Sequence, residues 1–414
     1  MNNYNKVAYT IVNNPYLHFA LALSENFRGL HEDYEFRIYL LDKHINAEFK
    51  LTDGVKIIEV DSKLIPDLNQ RAFYYDITEL STSIKPNIML DLLNKDYEVV
   101  TYIDPDIKFY QRMIEVEDAL GEHNFVITPH AMTPVYDGKR PDDLNFLRTG
   151  AYNLGFIAVK TSEEAKRFAL WWMERLKFNG FSAYSAGTFT DQKWIDLLPS
   201  YFDGVKILKH PGYNIAYWNL HERNMHGELS SPEVNDSVVV FYHFSGIKIQ
   251  EAGISRYQTR LNDYPSAVLS EMFREYRHKL LEIKQQRESK SMLFNSFSDG
   301  EGIDSLPRML FLYYLVSGGK AFNPFLLDRK SFMKIIRKRI SGNRDFVYAS
   351  DDRVSHLEGR IRKVPRSLLR LLLPILTSRK ISLILDFSNN SINKINLSRI
   401  VASLIGLHRE HENK

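Results

Sequence analysis

Two aspartates end an apolar run in "VVTYIDPDIKFY", residues 99–110. Asp104 and Asp106 flank Pro105, and Val99, Val100, Tyr102 and Ile103 precede them. Two carboxylates at the end of a buried strand suit a hard divalent cation. Such a cation neutralises a diphosphate as it leaves a reacting carbon. A second constellation lies in "VVVFYHFSGIKIQ", residues 238–250, where an apolar strand runs into His243, Gly246 and Lys248. A neutral imidazole can be a third ligand for Mn2+ or Mg2+. A glycine lets backbone approach a phosphate, and a lysine brings a positive charge to it. Each motif also has an ordinary reading, a capped turn around Pro105 in one case and a strand-end histidine in the other.

The elements that must position these residues alternate along the first part of the chain. "KVAYTIV", "YEFRIYLLD", "VKIIEV" and "YEVVTYID" have the composition of strands. "PYLHFALALSENFRGL" carries Leu17, Ala20, Leu21, Leu23 and Phe27 near helical spacing, and "SIKPNIMLDLLNK" follows a helical pattern after its proline. The alternation predicts an α/β fold with a mixed, mostly parallel sheet flanked by helices. Ligands of such sheets bind beyond the carboxyl ends of the strands, where Asp104 and Asp106 stand. From about residue 265 the pattern becomes helical, in "SAVLSEMFREYRHKLLEIKQQ", "RMLFLYYLV", "RKSFMKIIRKRI" and "RSLLRLLLPIL", with "SFSDGEGIDSLP" as a loop or linker. Two parts are therefore expected, 1–260 and a basic, mainly helical 261–414.

Composition narrows the chemistry. The chain has 414 residues, 44% of them hydrophobic, which is ample for a buried core. It has no cysteine, so disulfides, thiolate metal sites and a cysteine nucleophile are excluded, and any metal falls to Asp, Glu, His or backbone oxygen. The start is polar and then strand-like, without a secretory pattern, and no run reaches the roughly 20 apolar residues of a membrane span. A cytoplasmic protein is expected. The net charge is +3, but residues 261–414 hold 27 Lys/Arg against 16 Asp/Glu, a net of +11, and residues 1–260 carry the remaining −8.

Five segments in order resemble nucleotide-sugar glycosyltransferases of the GT-A fold. The likeness is strongest to the retaining group of glycogenin and the bacterial lipo-oligosaccharide galactosyltransferases. "AYTIVNNPYLHFALAL" resembles that group's first strand and nucleotide loop, and "SIKPNIMLDLL" with "VVTYIDPDI" resembles its basic residue and D-x-D motif. "GAYNLGFIAVKTSEEAKRF" is similar to its N-x-G segment, "FTDQKWIDLLPSYF" to its D-Q helix, and "HFSGIK" to its closing motif. The likeness runs through most of residues 6–250. It departs from the group where Ile249-Gln250 replace a common Pro-Trp and where the pre-motif basic residue is Lys85 rather than Arg.

The resemblance implies roles. Asp104, Asp106 and His243 would hold Mn2+ or Mg2+. Gly246, Lys248 and Lys85 would meet the diphosphate, with Thr10, Val12 and Tyr16 near the base. Asn153 and Gly155 would lie beside the donor sugar, and Asp191 and Gln192 would act at the reacting carbon. The implied reaction moves a sugar from a nucleoside-diphosphate donor, a UDP-sugar above all, to a hydroxyl of a glycan or lipid-linked glycan, with retention. Among the other segments, "HPGYNIAYWNLHER" offers Asn214, Trp218 and Asn219 for an acceptor. Two other classes share parts of the pattern. One is a non-catalytic nucleotide-sugar or glycan-binding module. The other is a D-x-D phosphatase of the haloacid-dehalogenase kind, which Lys108 fits poorly.

The basic C-terminal part suggests a surface. "DRKSFMKIIRKRISGNRD" carries seven basic residues from Arg329 to Arg344 without an intervening acid, and "GRIRKVPRSLLRLLLPIL" adds five beside an apolar stretch. A solvated helical face is one reading, and docking on an anionic membrane is the other. No recognition motif accompanies the charge, so nucleic acid is not an expected partner. Peripheral membrane binding predicts co-flotation of the full chain with vesicles containing anionic lipid at low salt, lost at high salt. Absence of flotation at low salt would remove the membrane from the list of partners.

Overall fold

The structure, a computed structural model, describes residues 4–41, 51–285, 294–316 and 318–342. The stretch "RSLLRLLLPIL" and the basic cluster before it lie outside the described residues. Contacts divide the chain into two compact units. Of the described residues, the first comprises 4–41, 51–66, 81–180 and 188–285, and the second comprises 67–80, 181–187, 294–316 and 318–342.

A mixed, mostly parallel sheet of seven strands organises the first unit. Its strands include β1 (Lys6–Val12), β2 (Tyr34–Leu40), β3 (Val55–Glu59), β4 (Val99–Ile103), β6 (Phe125–Pro129) and β7 (Tyr152–Lys160). β5 (Ile107–Phe109) leaves the sheet just after the D-x-D turn. The spatial order is strand Val205–Ile207, then β6, β7, β4, β1, β2 and β3. β1 runs parallel to β2 and β4, and β2 parallel to β3, while β7 runs antiparallel to both its neighbours. Every residue of β2 and β4 is buried, as expected of strands covered on both faces. Thus the α/β fold expected from the sequence is the fold observed.

The helix Leu17–Leu30 lays Leu17, Ala20, Leu23 and Phe27 into the main core with Phe36, Phe109 and Phe156. The spacing of these residues put them on one face, so the helix forms where periodicity placed it. A second core gathers Phe19, Tyr242, Phe244 and the helix Ala267–Gln285, through Leu269, Met272, Phe273, Tyr276 and Leu280. This helix follows residue 260 yet packs within the first unit, because its apolar stripe meets those aromatic rings. The compact units therefore do not break at 260.

The second unit has a phenylalanine core. The ring of Phe73 lies 5.0–5.8 Å, centroid to centroid, from those of Phe297, Phe311, Phe325 and Phe332. Its helices Ser305–Val316 and Arg329–Gly342 match two of the helical stretches expected from sequence. Arg308 spans the unit by donating to the carbonyls of Phe73 and Phe294, at 2.7 and 3.1 Å.

One buried titratable group of the first unit bears on stability. His31 is fully buried among Phe27, Tyr34 and Phe109. Its Nε2 accepts from the Met113 N–H at 3.1 Å, so the ring is neutral with its proton on Nδ1, 3.1 Å from the Phe27 carbonyl. Burial pushes its pKa down to about 4 from an ordinary 6.5. Between those values the unfolded chain binds a proton that the folded chain refuses. Stability therefore falls as pH drops through 6.5 and levels off near 4, by about 3 kcal/mol in total. Urea denaturation at pH 7, 5.5 and 4.5 should show this loss, and His31→Gln should flatten it. An unchanged pH slope in the variant would show that His31 is not its source.

Candidate active site

The D-x-D pair sits on a tight turn. Ile107 N–H donates to the Asp104 carbonyl at 3.2 Å, closing Asp104–Ile107 with Pro105 in its second position, where the ring's fixed φ favours the bend. β5 then pairs antiparallel with strand Phe241–His243, setting His243 opposite Ile107. Phe244 N–H donates to the Asp106 carbonyl at 2.8 Å, so the two distant segments are fastened at the site itself. Asp104, Asp106 and His243 each present a ligand atom, and these atoms lie within 4.8 Å of one another. The His243 Nε2 is 3.0 Å from Asp106 Oδ1 and 3.8 Å from Asp104 Oδ2.

The electrostatics of this cluster favour a cation. Burial presses the His243 imidazolium down, but the Asp106 and Asp104 carboxylates outweigh it and its pKa rises. Carboxylates that hold a proton on a buried imidazole can hold a divalent ion in its place. Two carboxylate oxygens and an imidazole nitrogen are donors that Mn2+ or Mg2+ accepts. The carboxylates keep partial exposure and His243 is buried, so the cluster is open on its acidic side.

Behind the turn lies a buried ion pair. Lys85, at 2% exposure, places Nζ 2.9 Å from Asp191 Oδ2, 3.0 Å from the Leu154 carbonyl and 3.6 Å from Asp104 Oδ1. Burial raises the Asp191 carboxyl, and the Lys85 charge offsets only part of that rise. Beside the pair runs an amide network. Asn153 Oδ1 accepts from Gly155 N–H at 3.0 Å and from Asn214 Nδ2 at 3.1 Å. Asn153 Nδ2 lies 3.2 Å from both His130 Nε2 and Gln192 Oε1. Gln192 Oε1 also accepts from Leu154 N–H at 3.0 Å, and its Nε2 donates to the Thr149 carbonyl at 2.9 Å.

No protein-family model matches the chain. Over 249 residues it is 26% identical to the uncharacterized protein YfnF of Bacillus subtilis (strain 168), covering 58% of this chain and 81% of that one. It is 23% identical to the uncharacterized protein YfnD of the same organism, covering 58% and 74%. Among solved structures it is similar to the galactosyltransferase LgtC in complex with donor and acceptor sugar analogs. The identity there is 15% and the TM-score 0.43, over 68% of this chain and all of that one. An active-site mutant of LgtC gives 16% and 0.40, over 65% and 94%.

The structure brings together Asp104, Asp106, His243, Lys85, Asp191, Asn153, Gly155 and Gln192. The segment after Asp191 is a 3-10 helix, Gln192–Leu197, and Asp191 makes no capping bond, because its carboxylate is turned to Lys85. Tyr16 is half exposed, and its phenol is held protonated by partial burial and by the Asp106 charge. Thr10 and Val12 are buried within β1, in register with Ile38 and Leu40. Lys248 is exposed and pairs with Glu251. Gly246 has φ +74, and the Tyr257 ring and Ser255 hydroxyl occupy the space a side chain would need there.

Asn214 and Asn219 are fully buried, and Asn219 ties its loop by accepting from Ala216 N–H and donating to the His130 and Asn214 carbonyls, each at 3.0 Å. Trp218 is buried edge-on against His243 and His130, with centroids 5.1 and 5.4 Å apart. His130 in "ITPHAMTP" reads from sequence as a candidate near the sheet edge or a satisfied structural histidine; burial lowers its pKa to about 4, so it serves Asn153 as a neutral ring. The sequence gives no sign that Tyr102 is a site residue, although Tyr102 stands two positions before Asp104.

Gly155 has a use that spacing alone does not reveal. A Cβ there would stand 2.4 Å from His243 Cε1 and 2.7 Å from its Nδ1. Glycine thus makes room for the imidazole against β7. Gly155→Ala should leave the sheet folded but displace His243, weakening Mn2+ binding about tenfold or more. Titration with Mn2+ beside a circular-dichroism melt checks this, and wild-type affinity in the variant would contradict it.

Proposed function

We propose that this chain is a metal-dependent glycosyltransferase acting on a nucleoside-diphosphate sugar, with a UDP-sugar the simplest donor. The observation that carries the reading is the convergence of Asp104, Asp106 and His243 beyond the carboxyl end of β4. The ordered run of five sequence motifs supports it, since the residues they name around the cation site and the donor sugar lie beside this cluster. The acceptor is a hydroxyl of a glycan or lipid-linked glycan, and retention is proposed on the sequence resemblance.

When bound, Mn2+ or Mg2+ supplies positive charge against the departing diphosphate. Asp104, Asp106 and His243 hold it. Lys85 holds a fixed positive charge behind the turn, in a site where water cannot screen it. Asp191 balances that charge and is itself kept dry, at 2% exposure. Asn153 and Gln192 fix the backbone of residues 149–155 against the cluster, each through hydrogen bonds to the other and to main chain. The half-exposed Tyr16 offers a ring near Asp106 for the nucleoside.

Among the described residues no helix is long and apolar enough to cross a membrane. Docking of the basic C-terminal part on an anionic membrane, at the cytoplasmic face, is proposed from its charge and would suit a lipid-linked acceptor.

Incubation with a panel of sugar nucleotides and Mn2+ should release nucleoside diphosphate, and chelation should stop the release. Asp106→Ala should lose metal-dependent donor binding and turnover while retaining the wild-type melting profile. Donor binding without release or transfer across a broad acceptor panel would instead identify a binding module. Phosphate release from simple phosphomonoesters would identify a phosphatase.

A further inference from the structure

Tyr102 and Asp104 stand two residues apart across the end of β4, so strand alternation puts them on one face. Tyr102 is buried, and its hydroxyl donates to Asp104 Oδ1 at 2.5 Å. An ionised carboxylate can only accept, so the phenol hydroxyl is the donor in this bond. The Lys85 Nζ lies 3.6 Å from the same oxygen and 4.1 Å from the centroid of the Tyr102 ring. Asp104 is fixed from its main chain as well, its N–H donating to the Gly155 carbonyl at 2.7 Å. Oδ1 is thus engaged from two sides, while Oδ2 faces His243 Nε2 at 3.8 Å.

A carboxylate held in this way presents Oδ2 as its freer oxygen to an ion. That matters for which ion it selects. Ca2+ collects six to eight oxygens, often two from one carboxylate, whereas Mn2+ and Mg2+ are content with single oxygens in an octahedral set. An imidazole in the set points the same way, because Ca2+ has little use for a nitrogen donor.

We propose that Tyr102 is a positioning residue that fixes Asp104 as a one-oxygen ligand and so sets the site's preference for Mn2+ over Ca2+. This rests on reading Asp104, Asp106 and His243 as a cation site. Tyr102 acts only through Asp104. Its partner Lys85 serves the same end, and also balances Asp191.

The test measures Mn2+ binding to the full chain without nucleotide, from the paramagnetic resonance signal of free Mn2+, and then its displacement by Ca2+. In Tyr102→Phe the Mn2+ Kd should rise about tenfold, in the range for loss of a group that orients a metal ligand. The ratio of Ca2+ to Mn2+ Kd should narrow, because a released Asp104 can offer both oxygens. Tyr39→Phe removes another buried phenol hydroxyl from the same sheet and should change neither value. A folded Tyr102→Phe protein with wild-type Mn2+ Kd and wild-type ratio overturns the proposal and leaves the cation site standing. A wild-type chain that binds no Mn2+ overturns both. Whether or not Tyr102→Phe folds, a wild-type chain that binds Ca2+ as tightly as Mn2+ overturns the proposal.

Discussion

The site depends on one buried ammonium. Taking a lysine out of water costs several kcal/mol unless partners replace its hydration. Lys85 has an aspartate, a carbonyl and the face of a tyrosine around it, with a second aspartate just beyond. The lysine and these partners come from four segments: the helix Lys85–Leu93, β4 with the turn after it, β7 and the turn at Asp191. Removing Asp191 would leave the ammonium buried and unbalanced, and the carbonyl and ring complete its surroundings, so the four segments meet in one arrangement. The non-glycine Thr190 at φ +47 is tolerated at that junction, where its hydroxyl reaches Asp191 Oδ1 at 3.1 Å.

A second constraint follows from the first. With Lys85 and Tyr102 holding Asp104 from behind, the D-x-D turn needs only a front partner, and strand Phe241–His243 brings it. His243 fits because Gly155 leaves the space and Trp218 closes it. Around this point most polar side chains already have protein partners. Asn153, Gln192, Asn214 and Asn219 spend their amides on one another and on main chain. Buried amides behave this way because an unmade hydrogen bond costs more than a made one contributes. These residues pack beside the Asp104, Asp106 and His243 cluster, whose carboxylates stay partly exposed, while Tyr16 and Tyr257 are half exposed.

Local pattern carried much of this. Alternating strands and helices predicted the α/β sheet, the helical spacing in 17–30 predicted the face that helix buries, and 267–285 read as a helix. The paired aspartates, His243 and Lys85 were visible as chemistry at strand ends or beside a proline. Other features became visible only once the chain was folded. Lys248, exposed, lies against Glu251 three positions on. Asp191 precedes its 3-10 helix, and a lysine more than a hundred positions earlier pairs with its carboxylate. Residues 67–80 look continuous with the α/β pattern around them, and only the phenylalanines near 297–332 show that they belong to the second unit.

The sequence by itself determined which residues are able to bind a divalent cation, and that they stand where apolar strands run out. Composition and periodicity suffice for that, because burial of a strand and the chemistry of its end are local properties. Which of the two oxygens of Asp104 remains free, why residue 155 must lack a side chain, and why Lys85 is buried were decided only by tertiary structure. Each depends on a contact between groups from different strands, whose distances no spacing along the chain encodes.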